Sequence, residues 1–350
     1  MNRRPSTAAS CKPAQRPRQR YLFYGQLISL PALLLLTGCR QQDQPTRKDQ
    51  PAGEPPALSD HTGTKASPGS FVRKKKPFAQ TGGERYFLAH RDATYEPGTR
   101  IEFERIVQVK DAKVVVVSPK EKLTGTTRST QTLKLLIDLL SEREVRVLVE
   151  KDREEGTQNI GRKFNPLRQR IGLLEGRTVL FTLKEGEWTP DLDQQEIKGG
   201  ASMIRFVRGI LGRQSDAVLY GLDPLAVGES WTADPRYLLS LGGQKDRATG
   251  SGSMQLEFRG VEKNDGTDCA ILVGRVNMTS VDALTGKTNR EGSIRVARSL
   301  THLANLSVAF DGRMEVIGSP STGISISTSG PYEMTQRLRI KKTAAKAGAP

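Results

Sequence analysis

Cysteine, histidine and aromatic side chains are scarce in this chain: three Cys, three His and 5% Phe, Trp and Tyr among 350 residues. His61, His90 and His302 stand far apart, one in a polar segment and two in predicted strands, and neither an HExxH motif nor a Cys/His pair at zinc spacing occurs. The familiar zinc sites are thereby excluded. A phosphate loop is also missing, because Val281 stands where the glycine before Gly286-Lys287-Thr288 is needed, and LTGKTN reads as a hairpin turn. Asp191 and Asp193 imitate a calcium loop, yet Glu196 replaces its glycine and Ser202 its closing glutamate. Gly250-Ser251-Gly252-Ser253 lacks the pattern of a nucleophile elbow and reads as a flexible lead into a strand. With no catalytic signature, an enzyme is the weakest of the function classes.

Acidic residues are the next shortage, 38 Asp and Glu against 54 Lys and Arg, for a formal net charge of +16. Much of the surplus sits at one end. Arg3, Arg4, Lys12, Arg16, Arg18 and Arg20 precede Cys39 with no acid among them, so +10 remains from Cys39 onward. That basicity suits anionic headgroups or anionic envelope polymers.

Long apolar runs are absent as well. The longest uncharged apolar segment, Tyr21 to Leu36, has 16 residues, short of the about 20 that a helix needs to cross a bilayer. Behind a positive n-region it has the length and flanks of a secretory h-region. Its end, Leu36-Thr37-Gly38-Cys39, closely resembles the lipobox of bacterial lipoproteins. The resemblance covers about the first forty residues. It implies cleavage after Gly38 and Cys39 as the new N-terminus, carrying a covalent diacylglycerol and an N-acyl chain. Several acyl chains hold durably where one holds marginally. Arg40 stands where an Asp would resemble an inner-membrane retention signal, so the outer membrane is the favoured destination. Export also removes nucleic acid from the expected partners. Cys11 leaves with residues 1–38 and lipid consumes Cys39, so Cys269 stands alone and the core rests on packing without a disulfide. Within DCAILVG it reads as a buried strand thiol.

Residues 39–83 are rich in Pro, Gln, Gly, Ser and charge, a composition that cannot bury enough apolar surface to fold. They read as a tether. Its Arg73-Lys74-Lys75-Lys76 cluster is a candidate contact with the membrane surface, at about 1 kcal/mol per charge near anionic lipid, or simply a solvated run.

From residue 84 to 342 the pattern changes to alternation. Ile101, Phe103, Val107 and Val109 mark a long strand or bent pair, and Val114 to Val117 is a β-branched run that disfavours helix. Met254, Leu256 and Phe258 alternate with polar residues, as do Leu306, Val308 and Phe310, then Ile324 and Ile326, then Met334, Leu338 and Ile340. One apolar and one wet face predict a mainly β (α+β) body, a long curved antiparallel sheet or half-barrel meander with one or two covering helices. Asn264-Asp265-Gly266 and Asp311-Gly312 are hairpin signals, Glu185-Gly186 a weaker one. Residues 132–142 satisfy both a helix and a strand pattern, and the strand-like GTTRSTQT before them favours the strand. Ala201 to Gln214 predicts a helix through Met203, Phe206, Val207, Ile210 and Leu211, and a second helix is expected after Asp234-Pro235. Two β halves, 84–200 and 245–342, joined by this helical segment, leave a diverged duplication open. Residues 343–350 read as a disordered tail.

The stretch Leu222-Asp223-Pro224-Leu225-Ala226-Val227-Gly228-Glu229-Ser230-Trp231 ahead of a β-rich half is similar to uncharacterised bacterial lipoproteins and secreted proteins of unknown function. Asn165-Pro166-Leu167, Ile171-Gly172 and the TVLFTLKEGEW hairpin fit the same pattern. The similarity implies a β-fold and carries over no activity and no site residues. Gly228 allows a tight lead into a strand, and Trp231 anchors the core against the helix. The expectation is a lipid-anchored envelope protein with a non-enzymatic binding or scaffolding domain. Its partners are membrane lipid through Cys39 and an anionic polymer or another envelope protein. A carrier of an apolar ligand on the concave face is the alternative, and an envelope hydrolase without a recognisable motif the third reading.

Overall fold

The computed structural model describes residues 84–342, apart from 91–92, 162, 213, 234–247, 283–285 and 322. Gly38, Cys39, Arg73, Lys74, Lys75, Lys76, the helix expected after Asp234-Pro235 and the tail at 343–350 lie outside the described residues.

Strict alternation builds the body. In β2 (Thr99–Val117) Ile101, Phe103, Val107 and Val109 are buried, while the intervening Glu102, Glu104 and Gln108 are only half-buried. The same period runs through β3 (Lys122–Leu139), β4 (Glu144–Ile160) and β6 (Thr178–Lys184). It returns in β10 (Ala248–Asn264), β11 (Thr267–Asp282), β12 (Gly286–Ser299), β13 (Asn305–Ser321) and β14 (Ile324–Lys342). Short strands complete the set: β1 (Arg85–Tyr86), β5 (Lys163–Ile171), β7 (Glu187–Pro190), β8 (Leu225–Ala226) and β9 (Ser230–Ala233). Twelve strands form one open antiparallel sheet in the order β7-β6-β4-β3-β2-β14-β13-β12-β11-β10-β9, with β5 beside the far part of β4; β1 pairs β8 separately. The two meanders meet where β2 pairs β14, from Thr99 opposite Lys342 to Val117 opposite Ser325.

Two of the three hairpin signals hold. Asp265 (φ 48°) with Gly266 (φ 79°), and Glu185 (φ 52°) with Gly186 (φ 83°), place both central residues at positive φ, as a type I′ turn requires. Asp311-Gly312 is instead interior to β13, where Gly312 pairs Gly292 of β12 and Tyr332 of β14. The glycine there serves a close approach between strands, which imitates a turn in sequence. Gly250 to Ser253 are likewise paired strand residues of β10. The ambiguous segment is strand: Leu135, Ile137 and Leu139 are buried, and the strand ends before exposed Leu140.

Bulges curve the sheet, for example at Val109/Ala112 and at Ser329/Tyr332. Residue Asp111 within the first adopts φ 45°. Inside the curve lies α1 (Gln194–Gly212), followed by α2 (Gln214–Tyr220). The helix thus begins seven residues earlier than its apolar stripe suggested, because Asp193 and Glu196 form a capping box rather than half a calcium loop. Asp193 Oδ1 accepts from the backbone N–H of Gln195 and Glu196 at 2.8 Å each, and Glu196 Oε2 accepts from that of Asp193 at 3.1 Å. Asp193→Ala is expected to lower stability by about 1 kcal/mol in a denaturation curve. An unchanged midpoint would mean that the Arg177–Glu196 pair holds the helix start unaided. Met203, Phe206 and Val207 of α1 pack on Phe103, Ile137, Val147 and Phe181. Trp231, 3% exposed, donates from Nε1 to the Leu219 carbonyl at 2.9 Å, so it anchors the core against α2 rather than against the expected helix, α1. Gly228, at φ 88°, makes the tight lead into β9.

Candidate functional site

Register fixes which charged side chains share the face that carries α1. Arg105 continues the Ile101, Phe103, Val107 row of β2 and stands opposite Leu133 of β3 and Gln336 of β14. Leu133 in turn stands opposite Asp152 of β4. Met334 and Gln131 flank Val107 in the next row, and Tyr332 lies opposite Val109. From the other half, Arg290 of β12 faces the same way, opposite Met314, which pairs Gly330.

These positions form a belt across the inner face. On one side the face is sealed by α1 on Phe103 and Ile137, and on the other by Val114, Val116 and Ile326. Between the two seals Arg105, Gln131, Asp152, Met334, Gln336 and Arg290 all remain half-buried.

The belt holds charges that form no direct ion pair among the described residues. The Arg105 guanidinium lies 5.1 Å from the centroid of the Phe206 ring, and that of Arg290 lies 6.0 Å from the Tyr332 ring. Neither has an ion pair or side-chain hydrogen bond among the described residues, nor does the Asp152 carboxylate. Burial holds the Arg105 guanidinium below its ordinary pKa; Tyr332 and Asp152 oppose that shift, and the Arg290 charge adds to it. Burial also raises the Asp152 carboxyl above the usual range, with Arg170 and Arg105 pulling it down and Glu175 pushing it up. Each guanidinium keeps a cation–π contact in place of a counter-ion. At the belt's margin Gln158, 0% exposed, has no hydrogen-bond partner for either polar atom of its side chain.

Two other carboxylates behave differently. On the outer face Asp138 accepts from Arg100 at 2.6 Å and from Arg146 at 3.0 Å, and Arg100 chiefly holds its carboxyl below the usual range. Glu175 is held low by Arg153 in the same way. These are satisfied pairs with structural roles.

Sequence reasoning passed over the belt, although a signal existed: Arg105 interrupts the apolar row of β2, and Arg290 shares a row with Ile294 and Val296. Of the residues it did single out, Cys269 is a buried thiol whose pKa burial raises. His90 and His302 were expected in strands, but they lie in the segment after β1 and in the β12–β13 connection. Neither stretch is strand, although each carries a buried apolar residue, Leu88 and Ala304. Among the described residues no group of three or more His, Cys, Asp or Glu is placed to hold a metal ion.

No family model and no curated relative matches the chain. Among solved structures it is similar to lipovitellin, described for its lipid–protein interactions, at 8% identity and a TM-score of 0.29 over 73% of this chain. The chain spans 26% of lipovitellin's length. It is also similar to DynF of the dynemicin biosynthesis pathway of Micromonospora chersina, at 11% identity and a TM-score of 0.16 over 79% of this chain and 92% of that one. A third is a DUF1329 family protein from Desulfovibrio piger, at 8% identity and a TM-score of 0.11 over 71% and 87%. All three likenesses are too slight to bear on function.

Proposed function

We propose that the chain is a lipid-anchored protein of the bacterial cell envelope whose curved sheet is a non-enzymatic binding body. The lipobox Leu36-Thr37-Gly38-Cys39 supports the anchor. Membrane lipid is the partner through Cys39, with Arg73, Lys74, Lys75 and Lys76 resting on anionic headgroups, and Arg40 favours the outer membrane. The observation that carries binding is the belt of half-buried charges that form no ion pair among the described residues, since a group buried for stability alone normally has its partner in hydrogen-bond contact. An apolar carrier is less well supported. The inner face beneath α1 is filled by Phe103, Phe206 and their neighbours, and most of the half-buried belt residues, Arg105, Gln131, Asp152, Gln336 and Arg290, are polar.

Radiolabelled palmitate supplied to cells is expected to enter the protein and sediment with the outer membrane, and Cys39→Ser is expected to abolish the label. A wild-type protein that stays unlabelled and soluble would end the reading.

A further inference from the structure

The belt's own chemistry narrows what it holds. We infer that it is a binding site for an elongated ligand bearing a phosphate or carboxylate, which bridges Arg105 and Arg290 and accepts a hydrogen bond from the Tyr332 hydroxyl. The inference rests on the binding-body reading and names its ligand class.

Three observations converge on it. First, two arginines from opposite halves of the sheet, Arg105 on β2 and Arg290 on β12, face the same inner surface, Arg290 reaching over the Tyr332 ring of β14, whose strand adjoins β2, with no carboxylate ion-paired to either among the described residues. Like charges drawn together inside a fold are destabilising unless an anion sits between them. Second, the donors are oriented and idle. Both guanidiniums are held on aromatic faces, and the Tyr332 hydroxyl has no hydrogen-bond partner among the described residues. A guanidinium's planar fork matches a carboxylate or phosphate through paired hydrogen bonds. Third, the shape is a band. The accessible positions run from β12 to β4, an arc of about 24 Å at roughly 4.8 Å per strand. Its floor is kept low by Gly292, Gly312 and Gly330, and Gln158 waits unpartnered at the β4 end. Met334 and Leu133 give the rest of the ligand apolar contact, while Asp152 faces any hydroxyl along it.

The test uses the full-length lipidated protein in a nonionic maltoside detergent, with calorimetric titration of four probes: inorganic phosphate, glycerol 3-phosphate, dihexanoyl phosphatidylglycerol and uncharged dihexanoylglycerol. Phosphate-bearing probes are expected to bind and the uncharged one not. Arg105→Gln and Arg290→Gln should each weaken binding by about tenfold, and Tyr332→Phe, which keeps the ring under Arg290, should weaken it less. Added salt should weaken binding as well. Preference for phosphatidylglycerol would identify a lipid source, and equal binding of glycerol 3-phosphate a headgroup or glycan source; both support the site. Binding of the uncharged probe with equal strength, unchanged affinity in Arg290→Gln at an unchanged melting temperature, or no binding by any probe would overturn it. Palmitate labelling separates these failures from a failure of the anchor.

Discussion

Arg298→Met is expected to destabilise the protein by about 3 to 5 kcal/mol, the range for removing one partner from a buried ionic cluster. Arg298 is 1% exposed, and its alternation with Ile294 and Val296 puts it at a position that an apolar residue would ordinarily fill. Four groups surround it. It donates to the Leu88 carbonyl, to Asn305 Oδ1 at 2.8 Å and to Asp216 Oδ2 at 2.9 Å, and its guanidinium lies 4.1 Å from the centroid of the Tyr220 ring. Asp216 and Tyr220 are one turn apart on α2, so a single helix face presents both to the arginine. The Tyr220 hydroxyl completes the cluster by donating to Asn305 Oδ1 at 2.9 Å, and burial above all pushes its pKa up to about 12. One side chain therefore ties β12, α2, the start of β13 and the segment after β1 together. Removing it takes the donor from a carboxylate that is 14% exposed and from a main-chain carbonyl, and leaves the Asn305 amide oxygen with the Tyr220 hydroxyl alone. Urea denaturation measures the loss. Arg298→Lys should recover little of it, since an ammonium cannot serve several acceptors in a plane. Arg298→Met with Asp216→Leu should recover much more, because the unpaired charge is then gone. A single Arg298→Met variant as stable as the wild type would show the cluster to be without energetic consequence.

Much of this architecture was legible. Period-two alternation specified strands and their buried face, and Asp265-Gly266 and Glu185-Gly186 specified turns, because both signals act within a few residues. Asp311-Gly312 misled because the demand for a glycine there is set by Gly292, on another strand, and only pairing reveals it. The helix start was missed for a local reason: its cap precedes the apolar stripe by several residues. The belt was hidden for a different one. An arginine at an inward position reads in sequence as a lapse in alternation. Whether such a lapse is a tie or a site depends on partners distant in the chain. Arg298 found Asp216 and Asn305, whereas Arg105 and Arg290 found aromatic rings and, among the described residues, no ion pair.

Gly312→Ala and Gly209→Ala are expected to change stability in opposite directions, although both add one methyl group to the same protein. A Cβ at Gly312 would meet the Glu291 carbonyl oxygen at 2.2 Å and Gly292 Cα at 2.6 Å. Both are main-chain atoms of the adjoining strand, held in place by the continuous β12–β13 ladder, and no rotamer can move them away. The reciprocal position is equally closed, since a Cβ at Gly292 would lie 2.4 Å from the Asp311 carbonyl oxygen and 2.7 Å from Gly312 Cα. The strands must separate there, which raises the floor of the belt. Overpacking of this kind costs about 1 to 3 kcal/mol, and the upper end applies because backbone must give way. Gly209 lies on the exposed side of α1 with nothing within 4 Å of a Cβ. There the substitution only removes the backbone freedom that glycine brings to a helix, a gain of about 1 kcal/mol. Thermal melts of the two variants, with circular dichroism to confirm the sheet, decide the matter. If Gly312→Ala melts with or above the wild type, the close approach of β12 and β13 at Gly312 and Gly292 is not required, and the low floor assigned to the belt loses its cause.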